Sequence, residues 1–300
     1  MLNGLEFFNK KKYISFVDDS EVFDNKLADS LPQTAIAKAV RAHIDSGGKR
    51  KKVAIIGFDG ARADAVVMLV KSNYDKYITA AKYSALEKLR AEGGLYLCYT
   101  GGEKGALQET STPQGWATLL TGKWAKDTGI YADETLEKAK TVLLEYAEKG
   151  KKTVFNSAWP VHFSHTYKAE IEKARKENLP IKFNQTEDND DKITEQMIKS
   201  VTDDDCDISF CIFELPDHTG HETPLGFWNK NPQYVKAVTC CDKNAYEIIR
   251  AIESRPTYMD EDWLIIISAD HGGHMTTHGR QRITDRTIFI ATNKSEYFEK

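Results

Sequence analysis

Val53-Ala54-Ile55-Ile56-Gly57-Phe58-Asp59-Gly60 is the stretch that decides how this 300-residue chain reads. A continuous apolar run of this length suits a β-strand covered on both faces, as strands are in a parallel sheet. Asp59-Gly60 ends the run, and a helix is predicted from about Ala61 to Lys71, which completes a βα unit.

The alternation recurs outward from that unit. Leu95–Tyr99, Thr153–Phe155, Ile208–Phe213, Trp263–Ser268 and Thr287–Ala291 read as strands. Residues 135–149, 166–177, 191–201 and 231–253 read as helices, and Gly150 stands just past the first of them as a stop. Strands separated by helices imply an α/β fold: a three-layer sandwich with a mostly parallel central sheet and helices on both faces. Residues 1–50 are expected to form a helical lead-in, because Leu27, Leu31, Ile36, Ala37, Val40 and Ile44 fall at helical spacing.

Composition narrows the class. A hydrophobic share of 41% and a charged share of 29% fit a globular chain with a sizeable core and exclude a disordered or collagen-like one. The 41 Lys+Arg against 45 Asp+Glu leave a net charge of -4. No nucleic-acid duplex is therefore expected as a partner, and a small anionic partner needs a local site. Five cysteines without a CxxC read as reduced thiols rather than a disulfide framework. No apolar run approaches ~18 residues, and the first residues lack a signal-peptide pattern. A cytoplasmic location without membrane contact is the expectation. Nothing in the sequence indicates the oligomeric state.

In parallel sheets ligands bind beyond the carboxyl ends of the strands, and here the polar clusters fall at those ends. Asp59 follows the first core strand. Asp217 comes four residues after Phe213, and Asp270-His271 follow Ser268 with one residue between. Of eight histidines, five lie in two short loops: His218 and His221, then His271, His274 and His278. Neutral imidazole and carboxylate together are ligands for a borderline divalent ion such as zinc. Taken alone, Asp59-Gly60 equally describes a helix cap, and a lone loop histidine a surface residue; the joint pattern points to metal.

Thr110-Ser111-Thr112-Pro113-Gln114-Gly115-Trp116 reads as a loop entering a helix, with Thr112 near its N-cap and Pro113 at the first helical position. Capping is one role for Thr112. The other is nucleophilic, since a hydroxyl at a helix N-terminus sits in a positive field suited to phosphate, and a divalent cation can lower its pKa.

At these residues the chain resembles the alkaline phosphatase superfamily, in its type I phosphodiesterase/nucleotide pyrophosphatase branch. The motifs are Gly57-Phe58-Asp59-Gly60, Thr112 through Leu119-Leu120-Thr121-Gly122, Pro216-Asp217-His218-Thr219-Gly220-His221, Asp270-His271-Gly272 and His278-Gly279. The resemblance implies two divalent ions, usually zinc, with manganese or magnesium as alternatives. Asp217, His221 and His278 would hold one; Asp59, Asp270 and His271 the other, with Thr112 as its additional ligand. It implies attack by Thr112 on phosphorus, a phosphothreonine intermediate and then hydrolysis. The substrate would be a small phosphorylated molecule, a phosphodiester or pyrophosphate. Residues 51–300 would form the catalytic domain, with a small cap within 156–206.

Departures from that pattern bear on substrate rather than metal. Gly115 replaces an asparagine common in phosphodiesterases and is expected to offer its backbone N–H to phosphate; His162 is a further candidate for substrate binding. Alternatives are a phosphomonoesterase, a phosphonate hydrolase, or a metal-binding relative without activity.

Overall fold

The computed structural model describes residues 30–66, 84–132 and 134–299. Among them one eight-stranded sheet is built from β1 (Leu31–Pro32), β2 (Arg50–Phe58), β3 (Gly94–Tyr99), β6 (Thr153–Ser157), β7 (Ile181–Gln185), β8 (Ile208–Phe213), β9 (Glu261–Ser268) and β10 (Thr287–Thr292). A hairpin of β4 (Gly102–Glu103) and β5 (Ala106–Leu107) stands apart. The order across the sheet is β1-β3-β10-β9-β2-β8-β6-β7. Every neighbouring pair is parallel except the two made by β10.

The helices are α1 (Ala35–Ile44), α2 (Ala85–Glu92), α3 (Thr112–Thr121), α4 (Ala125–Thr128), α5 (Val142–Glu148), α6 (Lys168–Glu177), α7 (Asp190–Val201), α8 (Leu215–Glu222), α9 (Pro232–Glu253) and α10 (Ile283–Arg286), with a π-helical turn over His162–Thr166. α1, α3 and α5 pack on one another, while α9 packs on α2, α7 and α8. These two groups form the outer layers of the sandwich. The middle layer owes its burial to sequence: Val53 to Ile56 and Ile208, Phe210 to Phe213 are fully enclosed, as strands covered on both faces must be.

Topology places the site. β9, β2 and β8 are adjacent and parallel, with Gly57 opposite Ser268 and Phe58 opposite Phe213. The segments carrying Asp59, Asp270 and, in the first turn of α8, Asp217 therefore leave the sheet side by side at the carboxyl ends of these strands.

Several boundaries differ from the sequence reading. Leu31–Pro32 is a strand at the sheet edge, not helix: proline disfavours helix in the residue before it, and its missing N–H is tolerated on an edge strand. The helix expected from 135 begins at Val142, because Thr141 is its cap: its Oγ1 accepts from Leu144 N (3.1 Å), and Glu170 holds its N–H and hydroxyl (2.7 and 2.8 Å). Residues 156–206, within which a small cap is expected, contribute edge strand β7 and helices α6 and α7, with β7 paired to β6 along its length. Leu27, and the part of the expected helix beyond residue 66, lie outside the described residues.

Candidate active site

Asp59 directly follows β2, and its N–H still bonds to Phe213 O (2.9 Å), so the carboxylate starts from the rigid end of the sheet. Gly60 then turns the chain with φ +66°, a region that glycine enters without a Cβ penalty. Its N–H donates to Asp270 Oδ1 (3.0 Å), and a Cβ there would meet Asp217 Oδ1 at 2.8 Å. One glycine thus lets three acidic residues close around a single turn.

Thr112 is the first residue of α3, with Ser111 at the N-cap, one position earlier than the sequence reading placed the helix start. Its Oγ1 lies 3.2 Å from His271 Nε2. One turn further along α3, Trp116 donates its indole N–H to Asp59 Oδ2 (3.0 Å). Gly115 answers to packing: a Cβ there would meet Asp270 O at 2.6 Å, so its absence lets the helix rest on the loop after β9.

The histidines share one orientation. His271 Nδ1 bonds Gly272 O (2.7 Å), His221 Nδ1 bonds Thr276 O (2.9 Å) and His278 Nδ1 bonds Thr110 O (3.1 Å). A carbonyl only accepts, so each Nδ1 carries the hydrogen; His271 and His278, held neutral by burial, keep a lone pair on Nε2, the orientation a backbone carbonyl fixes in metal-binding histidines. The hydrogen bond to Asp217 instead raises His221 and favours its charged form. Those Nε2 atoms face carboxylates: His271 lies 3.2 Å from Asp270 Oδ2 and 3.7 Å from Asp59 Oδ1, His221 3.4 Å from Asp217 Oδ2, and His278 3.7 Å from Asp217 Oδ1. The His271 and His278 rings stack with centroids 3.9 Å apart.

Two sets of three ligand atoms each fall within 4.8 Å of one another: Asp59, Asp270 and His271, then Asp217, His271 and His278. His271 belongs to both. His221, expected in the second set, stands beside it at Asp217 and is more exposed than the others.

Electrostatics make the cluster incomplete as protein alone. Asp59 Oδ1, Asp217 Oδ1 and Asp270 Oδ2 are buried oxygens without a hydrogen-bond partner. Among the described residues these three aspartates form ion pairs only with histidines, never with Lys or Arg. Burial, and then the charges of Asp270 and Asp217, push the Asp59 carboxyl well above its ordinary range; burial does the same to Asp270. Burial lowers both His271 and His278 to about 3, so neither supplies positive charge near neutrality. Converging acidic oxygens and neutral imidazole lone pairs are what a divalent cation requires, and the residues present fit one at each set.

Beside the cluster lies an open cavity of about 410 Å³, lined by Asp59, Glu109, Thr112, Trp159, Glu214, Asp217, His221 and His278 among others, and by no Lys or Arg among the described residues. Two sequence candidates stand elsewhere. The Gly115 N–H is consumed by Ser111 O (2.8 Å), so it offers nothing to a substrate. His162 is fully buried against Phe155, Trp159 and Tyr167 and is not part of the cavity wall.

Glu214 and Trp116 escaped the sequence reading. Glu214 follows β8 as Asp59 follows β2, so matching strand ends signals it; buried, it accepts from Ser157 Oγ (3.0 Å) and faces the cavity. Trp116 lies four residues after Thr112, on the same helix face.

Fold and site together define an alkaline phosphatase-like α/β protein. The family model "Type I phosphodiesterase / nucleotide pyrophosphatase" matches residues 53–292, and the chain belongs to that family. No curated protein matches the sequence significantly. Among solved structures, phosphonoacetate hydrolase from Sinorhizobium meliloti 1021, in complex with phosphonoacetate, superposes with TM-score 0.51 at 12% identity, covering 75% of this chain and 57% of that one. Alkaline phosphatase from the Antarctic bacterium TAB5 gives 0.50 at 11% identity, covering 84% and 94%. Murine ectonucleotide pyrophosphatase/phosphodiesterase 5 gives 0.49 at 15% identity, covering 74% and 57%. The chain thus spans a little over half the length of the first of these structures and of the last. At these identities the likeness is one of fold. No described helix is long and apolar enough to cross a membrane.

Proposed function

We propose that the protein is a two-metal phosphoester hydrolase acting on small phosphodiesters or pyrophosphates, with Thr112 as nucleophile and residues 51–300 as the catalytic unit. The observation that carries this reading is the placement of the Thr112 hydroxyl 3.2 Å from His271 Nε2, at the edge of a buried carboxylate cluster that no Lys or Arg among the described residues pairs. Family membership supports the reaction class.

Asp59, Asp270 and His271 would hold one ion and Asp217, His221 and His278 the other, with His271 close enough to touch both sets. Imidazole with carboxylate favours zinc, with manganese or magnesium as alternatives. Bound there, the ions would lower the hydroxyl pKa and offset charge on the transferring phosphoryl group. The chain's own residues do the rest. α3 presents Thr112 Oγ1 at its amino end, where helix N–H groups favour an anion. Attack forms the Oγ–P bond and breaks the bond to the leaving oxygen; water then cleaves phosphothreonine and restores the hydroxyl. Trp116 keeps Asp59 oriented while this happens.

The cavity wall also favours one substrate class. A monoester dianion carries more charge than a diester, and among the described residues no Lys or Arg lines the cavity to meet it. Arg62, three residues after Asp59, is committed to Asp64 and to the carbonyls of Phe227 and Gly273.

Thr112→Ala is expected to reduce turnover of a bis-nitrophenyl phosphate by a factor on the order of 10³ or more, while zinc content stays at two ions per chain. Wild-type protein should hydrolyse the diester faster than the mono-nitrophenyl ester. Full activity in Thr112→Ala would overturn the mechanism.

A further inference from the structure

The family match starts at residue 53, yet a polar side chain from well before it reaches the site. Gln33 lies between β1 and α1 and is fully buried. Its backbone N–H donates to Tyr99 O (2.9 Å), and its amide Nε2 donates to two carbonyls at once, Ala269 O and Asp270 O, both at 3.1 Å. Its Oε1 accepts from Thr100 Oγ1 (2.8 Å). The amide orientation follows from this network, since the reverse would press an oxygen against two carbonyl oxygens.

The reason these carbonyls need a donor lies in the sheet. The ladders of β9 end at Ser268, opposite Gly57 on β2 and Ile290 on β10. Beyond Ser268 the chain leaves both neighbours while still buried: Ala269, Asp270 and His271 are fully enclosed. Buried backbone carbonyls without ladder partners must be satisfied by side chains or water. Gln33 does so at the residue whose carboxylate belongs to the metal cluster. Asp270 O is also the atom that α3 rests on at Gly115.

The same segment grips α3 at its other end. Arg41 on α1 donates through Nη1 to Thr121 O (3.1 Å), the last residue of α3, and through Nε to Glu145 (2.8 Å). One short stretch therefore holds both the Asp270 backbone and the helix that carries Thr112.

Resting on the two-metal reading above, we infer that residues 30–44 are a brace for the site: Gln33 is a positioning residue that sets Asp270 against Thr112, and Arg41 secures the far end of α3. Neither touches substrate or ion.

The test titrates the full chain with zinc against a chromophoric chelator and compares Gln33→Met with wild type. Asp205→Asn, at the opposite end of the sheet, serves as a control that destabilises without touching the site. Gln33→Met should weaken one of the two zinc sites by about tenfold or more, the usual consequence of losing an outer-shell partner, and lower kcat more than it changes KM. Asp205→Asn should leave both zinc affinities at the wild-type value even where its Tm falls further. Thr100→Val, which removes only the hydroxyl that orients the amide, should give a loss in the same direction of about threefold and keeps the test open should Gln33→Met not fold. Zinc affinities within twofold of wild type in the folded variants would overturn the inference and leave the two-metal reading standing. Wild-type protein that binds no zinc would remove that reading, and the brace with it.

Discussion

The two ends of the central sheet handle buried charge in opposite ways. At the amino end Lys52, fully buried, bonds Asp205 Oδ1 (2.8 Å) and the carbonyls of Asp205 and Cys206. Arg255 joins Asp205 (2.7 Å) to Glu261 (2.6 Å), and Arg50 pairs with Asp205 and Asp207. Burial there would raise the carboxyls, but the bonds from Lys52 and Arg255 outweigh it. Asp205 ends well below its ordinary range and Glu261 is held at about 2. At the carboxyl end no Lys or Arg among the described residues opposes burial, and Asp59, Asp270 and Glu214 are all pushed well above theirs. A network that closes its own charge is structural; one of buried carboxyls that resist ionising alone, with imidazole Nε2 atoms aimed into it, is built for a charge from outside.

The sharpest way to break that contrast is to remove one charge from each end. Asp59→Asn should weaken zinc binding by more than about a hundredfold, beyond the effect of losing a residue that only orients a ligand, yet stabilise the chelator-treated protein, since it removes a buried carboxyl whose Oδ1 has no hydrogen-bond partner and which no Lys or Arg among the described residues pairs. A chelator-treated Asp59→Asn protein less stable than wild type would mean that the carboxylate is satisfied within the chain. Asp205→Asn should do the reverse, leaving zinc affinity alone and costing about 2 kcal/mol in urea unfolding. That figure is discounted from the 3–5 kcal/mol of a fully buried broken pair, because Asp205 is about one-third exposed.

A smaller effect sharpens the comparison at a third kind of carboxylate. Asp242 on α9 forms no ion pair among the described residues but accepts Leu86 N (2.8 Å) at the start of α2. Burial raises it to about 7 from an ordinary 3.8 despite that bond. The folded chain thus holds this proton more tightly than the unfolded one. Its contribution to stability is complete below about pH 4 and is lost as pH rises through 7, with a slope of at most about 1.4 kcal/mol per pH unit. Asp242→Asn should flatten that decline when urea midpoints are compared between pH 4.5 and 7.5 in chelator; an unchanged slope would reassign it to other groups.

How much of this was legible in sequence depended on how local each signal was. The strands of the parallel core announce themselves as continuous apolar runs, so β2, β8 and β9, and with them the convergence of Asp59, Asp217 and Asp270, follow from the chain alone. The histidines in glycine-rich loops were legible for the same reason. Gln33 was not: its partners lie 236 and 237 positions away, and nothing about an isolated glutamine marks it. Gly115 misled because an absent side chain reads equally as an open donor and as a packing contact, and only the helix geometry, which consumes its N–H, separates the two. β7 hid because Ile181–Gln185 is a half-exposed edge strand without the apolar run that betrays the central ones. His162 was a candidate for substrate binding, yet aromatic rings from three residues enclose it.

Anomalous diffraction at the zinc edge, from crystals of zinc-loaded protein, tests the central claim most directly. Two peaks are expected, one against Asp59, Asp270 and His271 and one against Asp217 and His278, with the Thr112 hydroxyl beside the first. A site without anomalous density, or zinc seated only at surface carboxylates away from Thr112, would contradict it.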